Sequence, residues 1–291
     1  MKNVEIVYRY GSSDAVIRPR PADAGEARRR LDDGSRAFAA LLDNVGGEGA
    51  AARRIVDVDP RDLGLHSEGG APAQRPYAAV LGCADARVPV ELIFSEGPND
   101  LFVVRVAGNA LGDDALGSLK YAVDHLGDSL KLVVVLGHSG CGAVTAAVDI
   151  FLDPGEYLAI ASKHVTRSLL DRLLVVVHSA ARRMAAIRGP DVTQRAGYRD
   201  ALIEAAVVSN AALAAHSVQQ ELTRDARGMR AAYGVYLLGT HDVWAPRAGS
   251  ADVTGLADPP RDLDAFHAFG DAVMRSDRIA SLLDRTPEQA A

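Results

Sequence analysis

Only two cysteines, Cys83 and Cys141, occur in the 291 residues. A chain of this length buries enough apolar surface to fold without covalent staples, so a disulfide framework is excluded as its organising principle. Excess positive charge is missing as well, since 32 Lys and Arg stand against 38 Asp and Glu, a formal charge of −6. Nucleic acid demands a basic face, so no nucleic-acid partner is expected, and the substrate should be small and neutral or anionic. No stretch reaches the about 18 uninterrupted apolar residues of a membrane span. The opening MKNVEIVYRYGSSD lacks a basic segment followed by an apolar run, so neither a secretory leader nor a membrane anchor is expected there. A cytoplasmic setting, where thiols stay reduced, follows as the expectation. Internal repeats and low-complexity tracts are also missing, which excludes a solenoid.

What is present is a chain with 48% hydrophobic residues, long enough for one large domain or two small ones. Residues 24–42, AGEARRRLDDGSRAFAALL, place Ala27, Leu31, Phe38, Leu41 and Leu42 at helical spacings, which predicts one or two surface helices in an N-terminal arm. Residues 46–74 are rich in Gly, Ala, Pro and charge without a clear period and read as mostly loop. The pattern then changes to the short β-branched runs AAVLGC at 78–83, LFVVRV at 101–106 and KLVVVLGH at 131–138, separated by helical segments such as DALGSLKYAVDHLG. Runs of this kind predict an α/β fold, with a mainly parallel central sheet flanked by crossover helices. Residues 157–188 and 199–221 read as helices, and 231–239 as a final strand at the sheet edge. The organisation expected is an arm and linker over 1–75, an α/β domain over 76–245, and a peripheral C-terminal tail over 246–291 with a short helix around 262–274.

Ligands in such sheets collect beyond the carboxyl ends of the strands, and both Cys83 and His138 end a predicted strand. In HSGC, His138 and Cys141 stand where a strand gives way to a helix, a spacing that can aim both at one ion. Zinc favours thiolate and imidazole, and a catalytic site needs only three protein ligands because the fourth position holds water. Taken alone, two cysteines are as readily small buried hydrophobes, and a single HxxC match is weak. The surroundings of Cys83 add weight: in CADARVP, Asp85 and Arg87 fall on the same side of an extended turn as the sulfur. An arginine two residues from an aspartate holds it ionised by charge-assisted hydrogen bonds, although the same pair also occurs as an ordinary surface contact.

CADAR followed by HSGCGA, with LFVVRVAGN and GSLKYAVDHLG between them, resembles the β-class carbonic anhydrases. The resemblance runs over residues 24–149, more loosely through 199–221 and 231–239, and LDDGSRAF is similar to the leucine-rich stretch ending in GNRRF in that family. It implies one Zn2+ per subunit on Cys83, His138 and Cys141, with Asp85 and Arg87 as a catalytic dyad. It further implies that Gln74 helps hold substrate, that Phe102, Ala107 and Tyr121 wall the pocket together with a neighbouring subunit, and that the Gly142 N–H bonds a substrate oxygen. The activity implied is reversible hydration of carbon dioxide to bicarbonate and a proton, in a homodimer or a dimer of dimers, with no membrane partner.

Departures from the family pattern are Ser35 in place of Asn, Lys120 in place of a Glu near the subunit interface, and Val80 in place of the Trp on which one subgroup builds a regulatory bicarbonate pocket. No such pocket is expected here, and the resting site is expected to keep its water rather than bind Asp85. The remaining histidines, His66, His125, His164, His178, His216, His241 and His267, cannot be ranked as proton carriers from the sequence. Two rival readings keep the cysteines on a metal: a hydrolase of carbonyl sulfide or carbon disulfide, and a non-catalytic zinc-binding regulatory protein. A redox pair is disfavoured because Cys83 and Cys141 do not form a CxxC motif.

Overall fold

The computed structural model describes residues 3–11, 18–43, 52–65, 70–160, 163–222, 228–246 and 253–286. Two sheets run through them. The smaller pairs β1 (Val4–Tyr10) in parallel with β2 (Ala52–Val58), with α1 (Ala24–Asp43) between them in the chain. The larger comprises β3 (Ala78–Gly82), β4 (Leu101–Arg105), β5 (Leu132–His138), β6 (Arg230–Tyr236), β7 (Val243–Ala245) and β8 (Val253–Thr254), in the order β4-β3-β5-β6-β7-β8. The first four are parallel to one another, whereas β7 and β8 are antiparallel additions. The other helices are α2 (Val90–Ile93), α3 (Asp113–Leu126), α4 (Gly142–Leu152), α5 (Gly155–Ile160), α6 (His164–Arg188), α7 (Tyr198–Glu221), α8 (Leu263–Arg275) and α9 (Asp277–Leu283). The expected α/β class, with a mainly parallel sheet between helices, is therefore observed.

Every residue of β3 and of β5 is buried, as befits strands covered on both faces. Alternation of side chains splits the core in two. Ala79, Leu81, Val133, Val135 and Tyr233 join the cluster built with α3, α4, α6 and α7. Ala78, Val80, Leu132, Val134 and Leu136 instead meet Leu31 and Phe38 of α1 and Ile93 of α2. The arm thus belongs to the core, because Ala24, Ala27, Leu31 and Phe38 of α1 pack into the smaller cluster on one face of the sheet. Helix α7 is long and apolar enough to cross a membrane by length and composition, but 78% of its apolar window is buried inside the fold. An all-round apolar helix in this position is a core helix.

Three expectations are corrected. The linker read as mostly loop contains β2, whose run ARRIVDV is half charged and finds its partner only in the distant VEIVYRY. The predicted strand at 231–239 forms as β6, but it is interior: Val235 pairs with Trp244 and Tyr236 with Val243. Strands of three and two residues, β7 and β8, are too short to leave a period in the sequence. The C-terminal segment is not a peripheral tail, because Phe269, Val273 and Met274 of α8 and Ile279, Leu282 and Leu283 of α9 are buried. Its polar average conceals two amphipathic faces that pack on α6 and α7.

The seam between α7 and α9 is close. A Cβ on Gly197, just before α7, would lie 1.8 Å from the Leu282 carbonyl oxygen. Replacing Gly197 with Ala is therefore expected to lower the unfolding free energy by roughly 1–3 kcal/mol. Urea denaturation measures this, and an unchanged midpoint would contradict the approach of the two helices.

Candidate metal centre

Strand register assembles the centre. Gly82 pairs with Leu136, so the chain leaves β3 at Cys83 beside the Gly137–His138 end of β5. Both strands are parallel, and their carboxyl ends open on the same side of the sheet. Cys141 arrives from the same loop as His138, three residues on, at the N-cap of α4. Cys83, His138 and Cys141 are 4%, 0% and 1% exposed, and their ligand atoms all lie within 4.8 Å of one another. The two sulfurs are 3.9 Å apart. A tetrahedral ion with Zn–S bonds of about 2.3 Å would set its sulfurs about 3.8 Å apart, so the spacing suits a shared metal.

His138 is prepared for such an ion. Its Nδ1 lies 3.0 Å from the Ser139 carbonyl oxygen, which can only accept, so Nδ1 carries the proton and Nε2 keeps its lone pair. Nε2 is buried and has no hydrogen-bond partner. Leaving a buried acceptor unmatched costs free energy, and a metal ion is the partner that this donor set fits.

The sulfurs sit among hydrogen-bond donors. The Gly108 N–H donates to the Cys83 sulfur at 3.2 Å, and the Gly108 carbonyl accepts from Asn210 of α7 at 2.9 Å. Left to themselves, the two sulfurs share one proton. The Cys141 thiol, with the backbone N–H groups of Asp85 and Gly108, holds Cys83 well below the usual thiol range against the opposing effect of burial. That same sharing, with burial, pushes Cys141 up, while the N–H groups of Val144 and Ala143 at the start of α4 oppose the rise. A cation between the sulfurs would replace the shared proton.

Asp85 and Arg87 form the expected pair. Arg87 Nε and Nη2 donate to Asp85 Oδ1 and Oδ2 at 3.0 and 2.7 Å, and the Arg87 N–H adds a bond to Oδ1 at 2.9 Å. The guanidinium accordingly holds the Asp85 carboxyl far below the ordinary carboxylate range, and the Arg87 backbone N–H reinforces it. Oδ2 stands 3.7 Å from His138 Nε2, which puts the carboxylate beside the ligand cluster.

The other expected pocket residues are spread out. Ala107 adjoins Gly108 in the 3-10 turn Ala107–Asn109, and Gly142 opens α4 directly after Cys141. Phe102 is half-buried on β4. Gln74 is exposed, and Tyr121 is 51% exposed on α3, stacked on His125 with ring centroids 4.4 Å apart. Among the described residues no hydrogen bond joins Gln74 or Tyr121 to the cluster. Val80 is fully buried, and Lys120 pairs with Asp124 on the outer face of α3. His216 and His241 are engaged with the Pro260 carbonyl and the Tyr236 hydroxyl at 2.7 and 2.9 Å, whereas His66 and the side chain of His164 fall outside the described residues.

Two supporting residues escaped the sequence reading. Arg105, the last residue of β4, donates through Nε to the Cys83 carbonyl at 2.9 Å and through Nη2 to the Asp85 carbonyl, so it braces the turn that carries both. Its signal was a lone charge ending an apolar strand run. Asn210 was equally visible as one amide inside the apolar run of α7.

A family model described as carbonic anhydrase matches residues 78–238, more than half of the chain. The chain belongs to the β-class carbonic anhydrase family. Carbonic anhydrase 2 of Mycobacterium tuberculosis is 45% identical over 108 residues, 36% of this chain and 51% of that protein. The carbonic anhydrase of Mycolicibacterium smegmatis is 51% identical over 84 residues, 29% of this chain and 39% of that one. The chain thus spans about half the length, or less, of the curated relatives it matches. Among solved structures, a Coccomyxa β-carbonic anhydrase is similar with TM-score 0.46 and 26% identity, over 65% of this chain and 77% of that one.

Arg105→Ala is expected to destabilise the fold by about 1.5–3 kcal/mol, because the carbonyls of Cys83 and Asp85 lose a charged donor. Chemical denaturation tests it, and a loss below about 0.5 kcal/mol would show that the turn stands without this brace.

Proposed function

We propose that this β-class family member catalyses the reversible hydration of carbon dioxide to bicarbonate and a proton, with one zinc ion per subunit on Cys83, His138 and Cys141. The observation that carries the reading is the convergence of two sulfurs and an unpartnered imidazole nitrogen beside an Arg-held carboxylate. Two thiolates and one imidazole favour zinc over the hard cations, and three ligands leave a position for solvent. Zinc there supplies Lewis acidity, which makes water nucleophilic near neutral pH.

The chain's own groups do the rest. Asp85, ionised, is an acceptor only, so its Oδ2 takes a hydrogen bond from the attacking water and turns the oxygen lone pair toward the carbon of carbon dioxide. Arg87 commits the carboxylate to that task and keeps it off the metal, which favours an open resting site. As the carbon–oxygen bond forms, the Gly142 N–H at the first turn of α4 offers a donor to the oxygen that gains charge. One proton leaves to solvent and bicarbonate departs. Phe102, Ala107 and Tyr121 provide the apolar wall and Gln74 a polar hold on substrate, with a second copy of the chain completing the pocket in a homodimer or dimer of dimers. The outward exposure of Gln74 and Tyr121 suits closure by another subunit. A cytoplasmic setting would keep both thiols reduced for the metal.

Zinc-repleted protein is expected to retain one zinc per chain, and Cys83→Ser to lose most of it; metal analysis after dialysis decides, and metal-free wild-type protein after repletion would remove the basis of the reading. Stopped-flow hydration of carbon dioxide by the zinc form should be readily detected, with Asp85→Asn lowering turnover by about 100-fold or more while zinc stays bound. Failure of the zinc form to hydrate carbon dioxide, alongside release of hydrogen sulfide from carbonyl sulfide, would favour the hydrolase instead.

The pH dependence follows from the sign of the Asp85 shift. Its folded value lies below the unfolded one, so its contribution is complete above about pH 4 and is lost only as the pH falls through the lower folded value. Any loss of turnover between about pH 8 and pH 5 is therefore expected to persist in Asp85→Asn, its midpoint moved only as far as the lost neighbouring charge moves it. Disappearance of that transition in Asp85→Asn would assign the titration to Asp85.

A further inference from the structure

The loop between two of the metal ligands is held from the far end of the chain. Gly140, between His138 and Cys141, has φ of +61°, a left-handed conformation that favours glycine, and its N–H donates to Glu204 Oε1 at 2.8 Å. Glu204 is buried on α7, amid the apolar run ALIEAAVV, where an unpaired carboxylate would be costly. Its second oxygen, Oε2, accepts from Arg278 Nε and Nη2 at 2.9 and 2.6 Å. Arg278 belongs to α9, and its guanidinium also lies 5.9 Å from the centre of the Trp244 ring on β7. The neighbouring loop residue, Ser139, is tied separately: its N–H donates to the Tyr236 carbonyl and its hydroxyl accepts from the Leu238 N–H, both at 2.9 Å.

We infer that Glu204 and Arg278 are positioning residues for the metal, through which the C-terminal helix α9 sets the geometry of the His138–Cys141 loop. This rests on the metal reading above. Neither residue touches the cluster. Glu204 fixes the peptide that joins the two ligands, and Arg278 fixes Glu204 by a two-toothed, charge-assisted contact that defines the carboxylate plane. A loop free to turn at its left-handed glycine would let the imidazole and the second sulfur drift apart, and the ion would be held less long. Outer partners that orient metal ligands typically change metal affinity about 10- to 100-fold when removed.

The test follows zinc release to a chromogenic chelator from the zinc-loaded full chain in wild type, Arg278→Ala, Arg278→Lys, Glu204→Gln and Arg285→Ala. Arg285 bonds Asp200 at 2.9 Å, so its removal loosens the seam between α7 and the C-terminal segment without touching Glu204. Release is expected to quicken about tenfold in Arg278→Ala and Glu204→Gln and to recover partly in Arg278→Lys. In Arg285→Ala it should stay within about twofold of wild type. Thermal midpoints of the metal-free proteins accompany each rate, so a general loosening of the fold is seen separately. Equal acceleration in Arg278→Ala and Arg285→Ala at similar midpoints would overturn the inference, as would wild-type release in Glu204→Gln, whose near-isosteric side chain serves if Arg278→Ala fails to fold. Wild-type protein that retains no zinc would overturn both this inference and the metal reading, whereas retention with unchanged release in the variants would overturn this inference alone.

Discussion

The pairing of β3 with β5 is the constraint on which the rest depends. Two parallel strands, buried on both faces, are locked in register because a slip of one residue would turn Val80 and Val134 into the opposite core and expel Leu81 and Val135 from theirs. That lock is apolar and carries no chemistry of its own. Its consequence is chemical, since it delivers Cys83 and His138 to one end of the sheet side by side. The helix that begins at Gly142 then returns Cys141 to the same spot. Convergence of three candidate ligands separated by up to 58 positions in the chain is thus a by-product of hydrophobic packing.

Polar groups cannot be brought into such a core without support. The cluster is supplied with donors from short stretches of backbone: Gly108 toward the Cys83 sulfur and the first turn of α4 toward that of Cys141. Single polar residues embedded in apolar elements brace the surroundings: Asn210 within α7 holds Gly108, Arg105 at the end of β4 holds the Cys83–Asp85 turn, and Glu204 within α7 holds Gly140. Helix α7 therefore has two functions on one surface. Its alanine and valine residues fill the core, and its two buried polar residues reach the Gly108 turn, whose N–H donates to Cys83, and the loop between His138 and Cys141.

Much of this was legible from sequence. The runs at 78–83 and 131–138 became β3 and β5 because a strand covered on both faces has to be continuously apolar, and the run at 101–106 became β4, half-buried at the edge of the sheet. CADAR and HSGC pointed to the two cysteines and the histidine that meet in one buried cluster through their resemblance to a family, and to the carboxylate–guanidinium pair because its spacing is local. Elements whose stability is not local were missed. β2 is half charged and depends on β1, β7 and β8 are too short for a period, and α8 and α9 hide buried faces within a polar composition. The pocket residues Gln74 and Tyr121, inferred from resemblance, point outward in the single chain, where a partner subunit would have to complete any enclosure.

By itself the sequence determined the α/β class through periodicity and the Asp85–Arg87 pair through local spacing, and the family resemblance singled out Cys83, His138 and Cys141 as candidate metal ligands. Tertiary structure decided which atoms meet. The 3.9 Å separation of the sulfurs, the solitary Nε2 of His138 and the path from Arg278 through Glu204 to Gly140 arise from strand register and helix packing between segments remote in the chain. A short motif can state what chemistry is available, but only long-range packing sets the distances at which that chemistry operates.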